Sequence, residues 1–267
     1  MPNPRFLKTA ERWKNDEVPK EREKKDIINL GPASFNSENV QYSFLDGSYG
    51  KSVLEKYNKE VGKNYNDTNA LRVLAFSDNL VKGSNPFAFT LLNKILKEDG
   101  AWVARPADLE RALSEQAINL RDTYGDSALV LRSEGDLNGY LAKDLVQKIN
   151  KKSNFQYPLM IPLIGLDLEY DNNSPHKLAF NLTDSTELIH TPQFENQNDG
   201  KKFDKADEKG RPIFDRNGSR TLYTGEGGLR RLYRSRDLYL VARNWDLDYS
   251  DGSGRVIVCR EAARSKN

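Results

Sequence analysis

The order of secondary-structure patterns along the chain predicts an α+β protein. Patterns typical of helices fill the first half and patterns typical of strands fill most of the second half, without βαβ alternation. No internal repeat is visible, and 267 residues suffice for one large domain with its own core. We expect helices packed on a mainly antiparallel sheet, with an N-terminal helical extension and a long polar insertion.

The N-terminal region divides at Gly31-Pro32, a pair that breaks regular structure. Residues 1–30 alternate charges around a few apolar positions, which favours an exposed helix that docks by one edge over the alternative of a partly disordered arm. The remaining residues 31–267 are expected to form the folded domain. A helix over residues 52–61 and a buried strand over residues 71–76 are its first expected elements.

Helix caps place the next three helices. Ser84-Asn85-Pro86 starts one of them, because a small polar cap followed by Pro suits the first turn, and Asp99-Gly100 ends it. A short strand over residues 102–104 leads to Arg105-Pro106, which opens a second helix. A third is expected to start at Asp136. Its apolar face has four-residue spacing and consists of Leu137, Leu141, Leu145 and Ile149.

The second half of the chain is rich in strand patterns. Strands are expected over residues 159–168, 178–182, 187–190, 238–242 and 255–259. Between them, residues 194–220 are polar and rich in Gly, which predicts a surface insertion or long loop that is ordered only in part.

Composition excludes several function classes. A net charge of +2 with 30% charged residues indicates no polyanion partner for the chain as a whole. No run approaches the ~18 apolar residues of a membrane span, and the N-terminus has no hydrophobic signal region. The single Cys259 allows no internal disulfide and no cysteine zinc site, and its apolar neighbours predict a buried strand. These features predict a cytoplasmic protein without membrane contact.

Candidate metal and cofactor motifs fail on spacing. Calcium loops starting at Asp246 or Asp204 would need Gly at the sixth position, where Asp251 and Lys209 stand. Residues 224–231 resemble a dinucleotide-binding turn, but Arg replaces the third Gly, so a tight turn feeding a strand is expected instead. We therefore expect no metal and no cofactor.

Catalysis also has little support. The two histidines, His176 and His190, have no Ser or Cys nucleophile motif nearby, so surface or packing roles are expected, with His176 solvated in a turn. No catalytic residue is expected, and an enzyme of unknown type is the weakest alternative.

Residues 227–260 use a different set of amino acids from the rest of the chain. They contain no Lys, Glu, Gln or Met, and Arg, Tyr, Asp and Ser stand between apolar positions instead. Randomising both adenines of an Asn codon AAC produces Tyr, Ser, Asp, Arg, Val and Gly but never Lys, Glu, Gln, Met or Trp. Asn244 would then be an unmutated survivor, whereas Trp245 is either fixed by a template or counts against this origin.

This segment, which ends in SGRVIV (253–258), resembles the variable region of the variable proteins of diversity-generating retroelements. WVARPADLERAL (102–113) and ALVLRSEGDLNGYLAKDL (128–145) resemble the archaeal and small-genome bacterial branch of that family. In this family, adenine-specific mutagenic reverse transcription rewrites the 3′ end of the gene, and the encoded surface sits on a C-type-lectin fold and binds ligands. The resemblance implies a C-type-lectin-like domain, a non-enzymatic ligand-binding role and a variable region at residues 229–258.

The expected ligand-binding positions are the variable ones. They are Tyr233, Ser235, Arg236, Asp237, Tyr239, Val241, Arg243, Asn244, Trp245, Asp246, Tyr249 and Asp251. Tyr and Arg dominate binding hot spots, and Tyr loses little rotamer entropy when it is fixed. The expected partner is a protein or other macromolecule that differs between variants. On a strand, Tyr239 and Val241 would point away from Leu240, so that they could vary without disturbing the core.

Burial is expected for the apolar frame of the region, and exposure for Tyr233, Tyr239 and Arg243. The frame consists of Leu232, Leu238, Leu240, Ala242, Val256 and Val258. The alternative function is a nucleic-acid-binding module, since Arg interleaved with aromatic residues suits phosphates and stacked bases. Between residues 229 and 260, seven Arg less four Asp leave a charge of +3, although each Asp repels phosphate.

Overall fold

The computed structural model describes residues 27–29, 40–135, 138–151 and 155–262. These ranges contain four α-helices and a large sheet of nine strands, so the predicted α+β class is confirmed. The helical extension expected over residues 1–30 lies outside the described residues, except that Ile27–Asn29 form a short strand.

The four helices are α1 (Gly47–Asn64), α2 (Pro86–Leu96), α3 (Pro106–Ser114) and α4 (Gly139–Asn150). Helix α2 begins as its cap predicts: Asn85 Oδ1 accepts a hydrogen bond from Ala88 N at 2.8 Å, and Pro86 occupies the first turn. A 3₁₀ turn extends this helix to Gly100, whose φ of +63° ends it.

Helix α4 confirms the predicted apolar spacing. Leu141, Leu145 and Ile149 are all buried on one side of the helix. Asp136 and Leu137, which are expected to open this helix, lie outside the described residues.

The strands are β1 (Ile27–Asn29), β2 (Val40–Phe44), β3 (Ala75–Ser77), β4 (Leu80–Lys82), β5 (Ala101–Val103), β6 (Gly125–Leu131), β7 (Leu159–Pro162), β8 (Leu166–Tyr170), β9 (Leu178–Leu182), β10 (Glu187–His190), β11 (Lys202–Ala206), β12 (Pro212–Phe214), β13 (Arg220–Thr224), β14 (Leu229–Arg234), β15 (Leu240–Ala242) and β16 (Ile257–Glu261). The large sheet has the order β1-β10-β7-β6-β14-β15-β13-β11-β12, and only its β13–β15 pair is parallel. Strands β2, β16 and β5 form a second sheet. The last strand that the structure describes, β16, therefore lies in this smaller sheet, whereas β14 and β15 lie inside the larger one.

Strand β6 is buried along its whole length and separates two cores. Leu129 packs in the core that contains α2 and α4, whereas its neighbour Val130 faces a second core on the other side of the sheet. Phe194 and Phe203 are fully buried in that second core. The sheet that carries β14 is thus fixed from both faces.

The prediction of a long, partly ordered surface loop over residues 194–220 is wrong. This segment contains the hairpin β11–β12 and the start of β13, which continue the large sheet. Most of its polar side chains are exposed or partly exposed, Asn198 and Arg220 are buried, and Phe194 and Phe203 cover the second face of the sheet. A segment with few apolar residues can be ordered when those few fill a core position.

The prediction of a buried strand over residues 71–76 is also wrong. Asn69–Leu71 form a 3₁₀ turn, and the three residues of β3 are exposed. Leu71 and Leu74 are nevertheless 0% and 9% exposed, because they enter the core from a turn. The expected strand over 159–168 is divided into β7 and β8 by a 3₁₀ turn at Leu163–Gly165, while β9 and β10 match their predictions.

Candidate functional site

The segment expected to vary lies on β14, β15 and the loop of residues 243–256 that follows them. Strand β14 has β6 on one side and β15 on the other. A turn at residues 235–238 joins β14 to β15, where Leu238 N donates to Ser235 O at 2.9 Å and Ser235 N donates to Tyr239 O at 2.8 Å. The turn and the loop therefore start from adjacent strands of the large sheet.

Leu238 departs from its predicted burial. It is only partly buried and adopts a left-handed φ of +66°, because it closes the turn rather than starting a strand. Its carbonyl oxygen accepts a hydrogen bond from Arg220 Nε at 2.8 Å, and the Nη atoms of Arg220 bind Glu110 at 2.5 and 2.6 Å. The other members of the frame are buried as predicted: Leu232, Leu240, Ala242, Val256 and Val258.

Three arginines of this segment are interior residues. Arg230, Arg231 and Arg234 are 6%, 1% and 1% exposed. Arg234 donates to the carbonyl of Leu120 at 2.7 Å, and Arg230 donates to the carbonyl of Arg243 at 3.2 Å. The positive charge that the sequence predicts for the surface is therefore smaller than the count of arginines implies.

Arg231 and Asp126 form a buried ion pair between β14 and β6. Arg231 Nε donates to Asp126 Oδ1 at 2.7 Å and Nη2 donates to Oδ2, while Ser84 Oγ donates to the same carboxylate at 2.6 Å. Burial opposes the charge, but the Asp126 carboxylate raises the pKa of Arg231 above its usual value. The guanidinium also lies 5.1 Å from the centre of the Tyr233 ring and 5.7 Å from that of Tyr124.

The same guanidinium binds the main chain of the loop. Arg231 Nη1 donates to the carbonyl oxygens of Tyr249 at 2.8 Å and Asp246 at 3.2 Å. Further bonds run from Asn138 Nδ2 to Trp245 O at 2.7 Å, from Asn85 Nδ2 to Asp248 O at 3.2 Å, and from Asp251 N to Tyr124 Oη at 2.9 Å. The four side chains that make these bonds, Arg231, Asn138, Asn85 and Tyr124, are outside the predicted variable set, whereas Asp251 of that set accepts a hydrogen bond from Ser253 N at 2.7 Å. Side chains of the loop can therefore differ without loss of these bonds.

A cleft of about 380 Å³ opens between the turn and the loop. Tyr124 and Arg231 form part of its wall, together with most of the predicted variable residues. These are Tyr233, Ser235, Arg236, Asp237, Asn244, Tyr249 and Asp251. The structure thus brings together positions that are up to 18 residues apart in the chain, such as Tyr233 and Asp251.

Asp251 connects the side chains at one edge of the cleft. Its carboxylate accepts hydrogen bonds from Arg236 Nη2 at 3.0 Å, Tyr249 Oη at 3.0 Å and Ser253 Oγ at 2.5 Å. Burial opposes ionisation, but the hydrogen bonds from Ser253 and Tyr249 hold the pKa of Asp251 below its usual range. The bond to Asp251 also raises the pKa of the Tyr249 hydroxyl.

Tyr239, Val241 and Arg243 lie outside the cleft. The Tyr239 ring meets the Tyr223 ring edge-on at 5.7 Å, and the Arg243 guanidinium lies 4.5 Å from the centre of the Tyr223 ring. Arg243 is exposed as predicted, but Tyr239 and Tyr233 are partly buried. Val241, which is expected among the ligand-binding positions, is only 5% exposed, because its register partners Tyr223 and Tyr233 share its face of the sheet.

Asp246 and Asp248 lie beside His176. Asp248 Oδ2 is 3.3 Å from His176 Nδ1, and the His176 ring is 5.2 Å from the Phe87 ring. Burial and the hydrogen bond to Asp248 raise the pKa of Asp246, whereas Asp246 and His176 hold the pKa of Asp248 down against burial. His176 is therefore a packing residue, and the solvated position expected for it is wrong, since 17% of its side chain is exposed.

Trp245 shows the greatest exposure of the aromatic side chains in this segment. It is 54% exposed and Tyr249 is 50% exposed, so both rings are available to a partner. Trp245 is not among the residues that line the cleft, and its carbonyl oxygen accepts a hydrogen bond from Asn138. Its position is compatible with either origin that the codon argument leaves open.

The sequence did not predict the buried Asp126 side chain, which binds the cleft residue Arg231. Asp126 stands in GDSALVL, a strand that is otherwise apolar or small, and a charge in a buried strand requires a partner. The need for a partner was therefore a signal in the sequence that Asp126 forms a buried polar contact. It does not identify Arg231, because the pairing of β6 with β14 joins residues 105 positions apart.

Several expectations concern metals, membranes and the thiol. Among the residues that the structure describes, no group of three His, Cys, Asp or Glu side chains could hold a metal ion. No helix in the described ranges is both long and apolar enough to cross a membrane. Cys259 is buried in β16, as predicted.

Comparison with known proteins gives no relative: no protein-family model, no curated protein and no solved structure matches the chain.

Proposed function

We propose that this chain is a non-enzymatic ligand-binding protein whose C-terminal surface is diversified, in the manner of retroelement variable proteins on a C-type-lectin-like fold. The restricted amino-acid set of residues 227–260 supports a history of adenine-directed change. The observation that carries the proposal is how residues 243–254 are held: side chains outside the variable set bind their main chain.

Such anchoring suits a surface that must vary. A loop held by its main chain keeps its shape when its side chains change, so a new variant needs no new supporting contacts. A preformed loop also loses less conformational entropy when it binds a partner. Arg231 supplies this support from inside the sheet, where it is neutralised by Asp126.

The displayed side chains suit a protein or other macromolecular partner. Tyr249 and Trp245 are about half exposed, and Tyr233 lines the cleft beside them. Aromatic residues of this kind supply large contact area and a polar end, which makes them frequent hot-spot residues. The partner is expected to contact the cleft and the adjoining Trp245.

A nucleic-acid-binding module is the alternative, and the burial of three arginines weakens its support. Arg230, Arg231 and Arg234 bind protein carbonyls or carboxylates inside the sheet and cannot reach phosphates. Arg236 is paired with Asp251, and Arg255 donates to the carbonyls of Gly252 and Gly254. Arg243 and Arg260 are the remaining exposed cations of this segment, over the rings of Tyr223 and Tyr49. Phosphate contacts dominate nucleic-acid affinity, so this set is poor for that purpose.

Two measurements test the proposal. The first is the neighbouring DNA, where we expect a near-copy of codons 229–258 with adenines at the differing positions, beside a reverse-transcriptase gene. Absence of such a template would remove the diversification argument.

The second measurement is selection from a library. Randomising Ser235, Asp237, Asn244 and Tyr249 should yield variants that bind proteins from a panel, and truncating a cleft Tyr in a selected variant should weaken binding by more than about 1 kcal/mol. A matched library at four exposed positions of the β11–β12 hairpin, Lys202, Asp204, Lys205 and Ile213, serves as the control. Equal yields from both libraries would contradict the proposal.

A further inference from the structure

The charges around the cleft are paired with one exception. Arg231 is neutralised by Asp126, and Arg236 by Asp251. Asp237, at the turn, forms no hydrogen bond or ion pair through its carboxylate with any part of the chain that the structure describes. The cleft therefore carries one uncompensated negative charge.

The Asn244 amide adds an acceptor to the cleft. Asn244 Nδ2 donates one of its two N–H groups to Tyr233 Oη at 2.9 Å, and its carbonyl oxygen remains able to accept. The cleft's two guanidinium groups already bind carboxylates or carbonyls. The Asp237 carboxylate and the Asn244 carbonyl oxygen are therefore available to the donors of a ligand.

The aromatic wall favours a cation over a neutral donor. The ring of Tyr249 is 50% exposed at the mouth of the cleft, and its hydroxyl is held by Asp251. A cation over such a ring gains from the ring quadrupole, and Arg231 already occupies the neighbourhood of the Tyr233 and Tyr124 rings in this way. The volume of about 380 Å³ is at the low end of small-ligand sites, which suits one side chain rather than a folded element.

We propose that the cleft receives the protonated side chain of an arginine or lysine presented by a protein partner, with Asp237 as the counter-charge and the Tyr249 ring as the stacking surface. This assignment rests on the proposed function and names the chemistry that this variant of the surface recognises. Nucleic-acid phosphate would meet the unpaired Asp237 and is disfavoured at this site.

The test uses Nα-acetyl-L-arginine amide as a probe and Nα-acetyl-L-citrulline amide as its neutral near-isostere, each titrated into the full chain and followed by NMR. We expect the arginine probe to shift signals of Tyr249 and Asn244 and to bind roughly tenfold more tightly than the citrulline probe. Asp237→Asn should weaken the arginine probe roughly fivefold and leave the citrulline probe unchanged.

Asp184→Asn is the matched control, since Asp184 is an exposed acid that lines a different cavity. It should leave the affinity for both probes unchanged. Equal affinity for the two probes, no effect of Asp237→Asn, or tighter binding of inorganic phosphate or of a short single-stranded oligonucleotide at the same signals would each overturn the assignment.

The two proposals can fail separately. If library selection yields protein binders at the cleft but the arginine probe fails, the charge assignment is wrong and the display function stands. If the arginine probe binds as expected but no template repeat and no selected binders exist, the cleft is a fixed site for a basic side chain.

Discussion

Arg231 of β14 and Asp126 of β6 form a buried ion pair, and the guanidinium that neutralises the Asp126 carboxylate also binds the carbonyls of Asp246 and Tyr249. The side chains are 2% and 0% exposed. One buried ion pair thus joins the centre of the large sheet to the main chain of the loop of residues 243–256. Loss of this ion pair should therefore lower the free energy of unfolding and change the shape of the cleft.

Asp126→Asn should lower the free energy of unfolding by about 3–5 kcal/mol, because it leaves the Arg231 charge buried without its counter-ion. Urea unfolding measures the change. The control is Arg236→Gln, which breaks an ion pair whose arginine side chain is 56% exposed and should cost less than about 1 kcal/mol. Similar costs for the two substitutions would show that Arg231 is not dependent on Asp126.

Local signals in the sequence were sufficient where the structure is local. The cap at Asn85, the stop at Gly100 and the four-residue spacing of Leu141 and Leu145 each predict a feature that the structure contains. A cap or a helical face depends on residues within a few positions of each other, so the pattern itself carries the physics.

Features set by distant contacts were not predictable in the same way. Val241 has the alternation of an outward residue, yet two neighbouring strands place Tyr223 and Tyr233 on either side of it. Residues 194–220 have the composition of a loop, yet Phe203 fills a core that only the assembled sheet creates. In the site, the residues that line the cleft were largely identified by their amino-acid set. Tyr124, which lines the cleft, and Asp126, which binds Arg231, come to the site through contacts between distant parts of the chain.

Simultaneous replacement of positions outside the core should leave stability nearly unchanged. Changing Ser235, Asp237, Arg243 and Tyr249 together to other residues reachable from AAC should cost within about 0.5 kcal/mol per position, since none is in the core. Leu240→Ala, at a residue 3% exposed, should cost about 2–5 kcal/mol. Thermal melting compares them, and loss of cooperative unfolding in the multiple variant would mean that these side chains support the fold.

Asp251 should make the cleft edge sensitive to acid. Its folded-state pKa is lowered, so its contribution to stability is fully present above its unfolded value near 3.9 and is lost as the pH falls through the lower folded value. Asp251→Asn should therefore lose less stability than the wild type between about pH 6 and about pH 3. Urea unfolding at both pH values measures the difference, and Asp184→Asn, which alters an exposed acid elsewhere, should follow the wild type. A wild-type pH dependence in Asp251→Asn would mean that this carboxyl is unperturbed.

Tyr124→Phe should loosen the loop without unfolding the sheet. The substitution removes the hydroxyl that accepts a hydrogen bond from Asp251 N at 2.9 Å but keeps the ring beside Arg231. A net hydrogen bond is worth about 1 kcal/mol, so amide exchange in a peptide covering residues 246–254 should accelerate about fivefold, while exchange in β6 stays slow. Tyr249→Phe is the control, because its hydroxyl binds only the Asp251 side chain among the described residues and supports no main-chain group. Hydrogen exchange followed by mass spectrometry separates the two variants. Equal acceleration of amide exchange in the two variants, or no acceleration in either, would contradict the role of Tyr124 as an anchor of the loop's main chain. The anchoring of the main chain would then not support a surface whose side chains can change.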